Sequence, residues 1–181
     1  MEQCTSSSRI YDGRVINLRV DAIVTENGAP GTREVVEHRG AAAIVPFLDA
    51  ANIILVKQYR YAIDSDLLEI PAGTLEPEEI PEQCAKRELE EETGYRCGQL
   101  KKILECYMAP GYSTEKIHFF MARELIPSSM KTEEDENISI QVMPIDEAMQ
   151  KIRRGEIQDA KTVCALYQAA QLTQISNRDT V

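Results

Sequence analysis

The sequence has no long hydrophobic run and few residues of the kinds that bind zinc. No stretch approaches the roughly 18 apolar residues that a membrane-spanning helix needs, and the opening MEQCTSSSRIYDG has neither a basic start nor an apolar segment. We therefore expect no membrane span and no signal peptide. A Cys-x-x-Cys pair is absent and there are only 2 histidines, so a zinc site is not expected. Reduced thiols and a cytoplasmic location are the expectation.

Positive charge is also scarce. The 181 residues include 20 Lys and Arg against 30 Asp and Glu, which gives a formal net charge of -10 at pH 7. Such an excess of negative charge disfavours duplex nucleic acid and anionic membranes as partners. Apolar residues nevertheless make up 43% of the chain. This is enough to form the core of one domain with a small appendage.

Hydrophobic periodicity predicts a mixture of strands and helices. Alternation over residues 15–24, turn residues and a second extended segment at 32–38 predict an N-terminal β-hairpin. Further strands are predicted at residues 41–47, 52–61, 100–108, 116–123 and 138–143, helices at 81–93, 144–154 and 159–172, and an acidic loop at 127–137. We predict a mixed-sheet α/β/α sandwich in residues 41–181, preceded by an antiparallel β appendage in residues 1–40.

Local signals also mark where two of these helices begin and end. Pro81 suits the first turn of the helix at 81–93, and Gly94 suits its C-terminal cap. Asp159 suits the N-cap of the last helix.

The helix at 81–93 carries an unusual concentration of glutamates. Glu88, Glu91 and Glu92 are spaced so that they share one face. Like charges at this spacing, near the C-terminal end of a helix dipole, destabilise the helix. A solvated helix face is the ordinary interpretation of such a run, but a nearby cation would offset the repulsion. Carboxylate oxygens on one face suit hard divalent ions, and Mg²⁺ in particular.

The surroundings of this helix favour the second interpretation. Gly73 is followed after five residues by Glu79, and after seven more by Arg87-Glu88, then Glu91-Glu92 and Gly94-Tyr95. In this pattern the chain resembles the Nudix hydrolases, whose fold it is then expected to share. Many relatives have Gly at the position of Glu78 and Ala at that of Cys84, neither of which the signature fixes.

The resemblance implies a chemistry and a set of residues for it. Nudix enzymes hydrolyse a nucleoside diphosphate linked to another moiety and use Mg²⁺, with Mn²⁺ as a possible substitute. The implied metal ligands are Glu88, Glu91, Glu92 and the carbonyl of Ala72. Glu91 also belongs to the implied catalytic set, as does Arg87, which together with Glu79 is expected to orient the carboxylates.

A second pattern narrows the substrate. Pro110 lies 15 residues beyond Tyr95, in the segment Ala109-Pro-Gly-Tyr-Ser-Thr-Glu115, which is similar to a loop of the ADP-ribose pyrophosphatase subfamily. Glu115 is then a candidate general base, with a glutamate of the helix as the alternative. The segments around Arg60 and Glu69 also match the subfamily, and these two residues are candidate substrate contacts, as is Arg33.

The expected activity is Mg²⁺-dependent hydrolysis of ADP-ribose to AMP and ribose 5-phosphate. GDP-mannose or another nucleoside diphosphate sugar is the alternative substrate. A binding module without turnover is disfavoured because the glutamates are all present, and mRNA decapping is disfavoured by the acidic charge. In the subfamily the N-terminal region packs across a two-fold axis, so the resemblance implies a homodimer in which Arg33 acts on the partner's substrate.

Overall fold

The computed structural model describes residues 1–130 and 138–178, with side chains up to residue 173. In that part of the chain the strands are β1 (Gln3–Asp12), β2 (Asn17–Val24), β3 (Pro30–Glu37), β4 (Ala41–Pro46), β5 (Asn52–Arg60), β6 (Ser65–Glu69), β7 (Ala72–Thr74), β8 (Tyr95–Tyr107), β9 (Lys116–Pro127) and β10 (Ile138–Pro144). The helices are α1 (Pro81–Thr93), α2 (Ile145–Arg153) and α3 (Ala160–Arg178), with a 3₁₀ turn at Tyr61–Ile63. The mixed α/β class predicted from the sequence is confirmed. Most of the predicted acidic loop, residues 131–137, lies outside the described residues.

The chain forms two compact units. The N-terminal unit comprises Met1–Gly40 with Cys106–Lys116, and the main unit comprises the described residues of Ala41–Glu105 and Ile117–Val181. The N-terminal unit contains an antiparallel sheet in the order β1-β2-β3. Its β3 is also joined to the 106–116 segment, since the N–H of Val36 donates to the carbonyl of Tyr112 at 2.8 Å and that of Thr114 to Val36 at 3.0 Å.

Strand β1 makes the predicted hairpin a three-stranded sheet. It pairs along β2 from Gln3 opposite Val24 to Asp12 opposite Asn17, with two register shifts. All of its residues are exposed. Because periodicity in a sequence reports burial, a strand that buries neither face leaves no such signal, and the hairpin prediction was wrong on this point.

In strand β2 the buried residues are not the ones that the alternating pattern predicts. The apolar set that includes Leu18 and Val20 is only half-buried, whereas the buried positions are Asp21 and Ile23. Asp21 accepts hydrogen bonds from Ser7 at 2.6 Å and Arg19 at 3.0 Å. The apolar face of β2 is thus left partly open within a single chain.

The main unit contains two further sheets, ordered β10-β5-β6 and β7-β4-β9-β8. Strand β4 runs parallel to β9 and antiparallel to β7, and both of its faces are buried. Helix α1 packs on this second sheet, with Ala85 and Leu89 in one core cluster with Ala42, Ile44 and Phe120. The helix that carries the glutamates is therefore fixed on one side by apolar packing.

Strand β7, which begins directly after Pro71, is not among the predicted strands. It is three residues long and pairs with β4, with Gly73 opposite Ala42 and Ala72 opposite Ala43. So short a strand between a proline and a loop has no periodicity to read. Its position beside α1 brings Ala72 and Gly73 to the acidic helix.

Two expectations about composition can also be compared with the structure. No helix of the described residues is long and apolar enough to cross a membrane. All five cysteines lie in the described part of the chain and none forms a disulfide. Cys84 is buried, whereas Cys4 and Cys164 are exposed.

Candidate active site

Helix α1 begins and ends where its sequence predicts. Pro81 occupies the first turn, and Gly94 ends the helix in the left-handed conformation (φ 71°), its N–H donating to the carbonyl of Glu90. Glu88 and Glu92 are buried, at 8% and 5% exposure, although both are glutamates. Burial of two carboxylates on one helix face needs specific polar partners.

Strand β7 lies against this acidic face. The N–H of Ala72 donates to Oε2 of Glu92 at 3.1 Å. A Cβ placed on Gly73 would overlap the carboxylate of Glu88, so only glycine leaves room for Glu88 at this position. The structure thus brings together Ala72, Glu88 and Glu92, three of the predicted metal ligands.

Arg87 binds three carboxylates of the motif. Its guanidinium donates to both oxygens of Glu79, at 2.9 and 3.0 Å, to Oε1 of Glu88 at 2.6 Å and to Oε2 of Glu91 at 3.0 Å. The hydrogen bonds with Glu79 are the largest cause that raises the pKa of Arg87, and they lower the pKa of Glu79. The cation expected beside the glutamate run is therefore supplied by the chain itself, at least in part.

The residues fit a divalent metal by donor type. Glu88, Glu91, Glu92 and the Ala72 carbonyl offer only oxygen atoms, the donors that hard divalent ions require, and two of the carboxylates are held inside the protein. In the described residues, no three acidic, histidine or cysteine side chains converge on one point as ligands. Arg87 donates to one oxygen of Glu88 and to one oxygen of Glu91 in this arrangement, which holds the two carboxylates in position.

A second charged cluster contains two of the predicted substrate contacts. Glu69 is only 1% exposed and accepts two hydrogen bonds from Arg60, each at 2.7 Å. Lys161 also donates to Glu69 and lies 3.0 Å from the carboxylate of Asp159. Hydrogen bonding to Glu69 is the largest cause that raises the pKa of Arg60, and the charge of Glu92 acts in the same direction. Arg60 therefore lies within electrostatic reach of the acidic helix.

Lys161 is the residue of this cluster that the sequence interpretation missed. Its segment, Asp159-Ala160-Lys161-Thr162, was interpreted as a helix start, and Asp159 does cap α3 by accepting the N–H of Thr162 at 3.0 Å. A lysine in a helix start has no pattern that separates it from a surface lysine. Its partner Glu69 is 92 residues away in sequence.

Glu115 and Arg33 lie in the N-terminal unit. The N–H of Glu115 donates to the Ser113 hydroxyl at 3.1 Å, and its side chain lies 4.0 Å from Nδ1 of His38. Arg33 is held by Glu2, through Nε at 3.1 Å and a second contact from Nη2. The predicted substrate contact of Arg33 would need this ion pair to open.

Comparisons with known protein families agree with the motif. The NUDIX domain family matches residues 37–166, and the family described as nucleoside diphosphate sugar hydrolase N-terminal domain matches residues 2–36. A solved structure described as an ADP compounds hydrolase superposes with a TM-score of 0.87 at 24% identity, covering 98% of this chain and 96% of that one. This likeness shows that the two proteins share a fold.

Several characterised relatives are similar over most of the chain. An ADP-ribose pyrophosphatase from Bacillus subtilis (strain 168) is 41% identical over 167 residues, covering 91% of this chain and 90% of the relative. A methanol dehydrogenase activator from Bacillus methanolicus is 38% identical with the same coverage. A GDP-mannose pyrophosphatase from Cronobacter sakazakii is 40% identical over 151 residues, covering 74% of this chain and 78% of the relative. The chain belongs to the Nudix hydrolase family.

Proposed function

We propose that the protein hydrolyses the pyrophosphate bond of ADP-ribose, giving AMP and ribose 5-phosphate, with Mg²⁺ as the metal and Mn²⁺ as a substitute. The observation that carries this proposal is the burial of Glu88 and Glu92 beside β7, where Glu92 accepts the N–H of Ala72 and its charge acts on Arg60. ADP-ribose is favoured because the relative named for it matches 91% of this chain, against 74% for the relative named for GDP-mannose. GDP-mannose is the second candidate.

In this proposal the main unit supplies the metal ligands and the contacts to the phosphates. Glu88, Glu91, Glu92 and the Ala72 carbonyl hold the divalent ion, which polarises phosphoryl oxygens and lowers the pKa of bound water. Arg87 keeps the carboxylates oriented by charge-assisted hydrogen bonds.

Arg60 and Lys161 bind the pyrophosphate. Glu69 neutralises part of their charge and fixes their direction. Each cation uses only some of its N–H donors on Glu69, so donors remain for phosphate oxygens.

The experiment measures turnover of ADP-ribose, GDP-mannose and other nucleotide sugars with Mg²⁺ or Mn²⁺, with products separated by chromatography. Glu92→Gln should lower kcat/KM for ADP-ribose by orders of magnitude and weaken Mn²⁺ binding to the free enzyme. Glu90→Gln is the matched control, because Glu90 lies in the same glutamate run but binds Arg96 and Ser128 instead. Equal activity of the Glu92→Gln enzyme and the wild type would overturn the metal assignment. A preference for GDP-mannose would overturn the substrate assignment.

We also propose Glu115 as the general base that activates the attacking water. A base acts mainly in the transition state, so Glu115→Gln should reduce kcat by about 10² to 10⁴-fold with little change in KM. An effect on KM alone would make Glu115 a binding residue and leave a glutamate of α1 as the base.

The N-terminal region, residues 1–40, is proposed as the dimerisation region of a cytoplasmic homodimer. In this region, Ile10, Tyr11 and Ile16 are exposed in the single chain, and the apolar face of β2 is only half-buried. A partner subunit would cover such a surface, and sedimentation equilibrium would give the mass. A monomeric mass at assay concentrations would refute this.

Arg33 is proposed to act in trans. Mixed dimers of Arg33→Ala and Glu92→Gln subunits should then regain activity, because one of their two sites has neither defect. No recovery despite verified subunit exchange would refute the shared site.

A further inference from the structure

The start of helix α3 binds the segment that enters strand β7. Thr162 is fully buried, and its hydroxyl accepts a hydrogen bond from the N–H of Ile70 at 2.9 Å. The same hydroxyl donates at 2.6 Å to the carboxylate of Asp159. Beside Thr162, Lys161 binds Glu69. Two adjacent residues of α3 thus hold two adjacent residues of the segment, and we call Asp159, Lys161 and Thr162 the α3 clasp.

The segment held by the α3 clasp leads directly to the acidic helix. Ile70 is 1% exposed, so its N–H has no access to water and depends on the Thr162 hydroxyl. The next carbonyl, that of Pro71, accepts the N–H of Ile44 at 2.9 Å, and the N–H of Ala72 donates to Glu92. Each residue from Glu69 to Ala72 is therefore fixed by at least one hydrogen bond within the main unit.

Asp159 contacts both of the other residues of the α3 clasp. Its carboxylate accepts from both the N–H and the hydroxyl of Thr162 and also lies 3.0 Å from Lys161. The hydroxyl proton of Thr162 is thereby directed to Asp159, which leaves a lone pair for Ile70. The position of the Lys161 ammonium is in turn tied to the same backbone that carries Glu69.

We propose that Thr162 and Asp159 are positioning residues for the substrate phosphates. Through Lys161 and the Glu69–Ile70 backbone they set the two cations, Lys161 and Arg60, that bind the pyrophosphate. This rests on the proposed function, in which those cations contact the substrate. Neither Thr162 nor Asp159 touches the substrate.

The test compares three single variants. Thr162→Val keeps the shape and removes the hydroxyl, and Thr162→Ser restores it. Thr173→Val is the matched control, because the Thr173 hydroxyl bonds the carbonyls of Ala169 and Ala170 within the same helix. The ligand is an ADP-ribose analogue with a methylene group in place of the bridging oxygen, and calorimetry gives its Kd.

Thr162→Val should raise this Kd by about tenfold or more, as is usual for supporting residues of a binding site. Thr162→Ser and Thr173→Val should bind the analogue like the wild type. KM for ADP-ribose should rise with the Kd. If Thr162→Val does not fold, Asp159→Asn takes its place, since it keeps an acceptor for Thr162 but removes the charge beside Lys161.

A double mutant separates positioning from a general structural effect. If Thr162 acts through Lys161, its substitution should weaken binding much less in a Lys161→Met background than in the wild type. If the two substitutions raise the Kd by independent factors, the positioning role of Thr162 is overturned. An unchanged Kd in folded Thr162→Val would overturn it as well. Neither result would contradict the proposed function. An unchanged Kd in Lys161→Met would overturn the phosphate-binding role of Lys161, and this inference with it.

Discussion

Glu69 is the buried charge whose removal should affect stability most. It accepts two hydrogen bonds from Arg60 and one from Lys161 at 1% exposure. Glu69→Gln keeps the shape but leaves two cations without their shared counter-charge. Breaking a buried ion pair in this way costs about 3–5 kcal/mol. Because the side chain of Arg60 is 39% exposed and can turn partly to water, we expect the lower end, about 3 kcal/mol. That corresponds to a Tm lower by roughly 6–12 °C for a chain of this size.

The effect of Glu69→Gln should depend on pH with a defined sign. Burial opposes ionisation of Glu69, but Arg60 and Lys161 more than offset it and hold the pKa of the carboxyl below its ordinary value of 4.5. Because the pKa of Glu69 is lower in the native than in the unfolded protein, its ionisation stabilises the native state. This contribution is complete above pH 4.5 and is lost as the pH falls through the native pKa. The difference in the free energy of unfolding between the wild type and Glu69→Gln should therefore be constant from pH 7 to pH 5. It should become smaller in stronger acid.

Thermal and urea unfolding at pH 7, 5 and 4 would measure this difference. Glu156→Gln is the matched control, because Glu156 also binds two cations, Lys151 at 2.9 Å and Arg154 at 2.6 Å, but on the surface. Exposed pairs contribute little, so this variant should unfold close to the wild type. Equal Tm values for Glu69→Gln and Glu156→Gln at pH 7 would refute the reasoning.

Two further substitutions test the loop and strand beside the acidic helix. Glu78 is exposed and has φ 65°, a conformation that glycine adopts with less strain, so Glu78→Gly should stabilise the protein by roughly 0.5–1 kcal/mol. An unchanged or lower Tm would contradict this. Gly73→Ala should displace the Glu88 carboxylate and lower kcat/KM by about a hundredfold while also weakening Mn²⁺ binding. Wild-type kinetics in Gly73→Ala would show that Glu88 is free to move without loss.

Local signals in the sequence were sufficient for both ends of α1 and for the start of α3, whereas α3 continues to Arg178, beyond the predicted end at residue 172. Pro81, Gly94 and Asp159 act within one helical turn of themselves, so their roles as first-turn residue and caps could be predicted without knowing the fold. Gly73 and Glu79 were identified by the resemblance to the Nudix signature. The structure adds the reason for the glycine, which is the close approach of Glu88.

Pairings between distant segments could not be predicted in the same way. Glu69 and Lys161 are 92 residues apart, and Arg33 and Glu2 are 31 apart. Charged residues give no periodic signal that identifies a partner, and strand β1 buries no residue that would mark it. The structure adds the hydrogen bonds of Glu69 with Arg60 and Lys161, whereas the contact of Glu69 with the substrate stays a prediction.

The glutamate run of helix α1 has a consequence for how the protein tolerates mutation. In sequence it resembles a repetitive tract, yet its four glutamates differ in their surroundings. Glu88 lies against Gly73, Glu91 binds Arg87, and Glu92 accepts the N–H of Ala72, whereas Glu90 binds Arg96 and Ser128, away from this site. A saturation scan of these positions should therefore give an uneven profile, with many residues accepted at position 90 and few at 88 and 92. Neutral substitutions in this tract should therefore be confined to one of its four glutamates, Glu90.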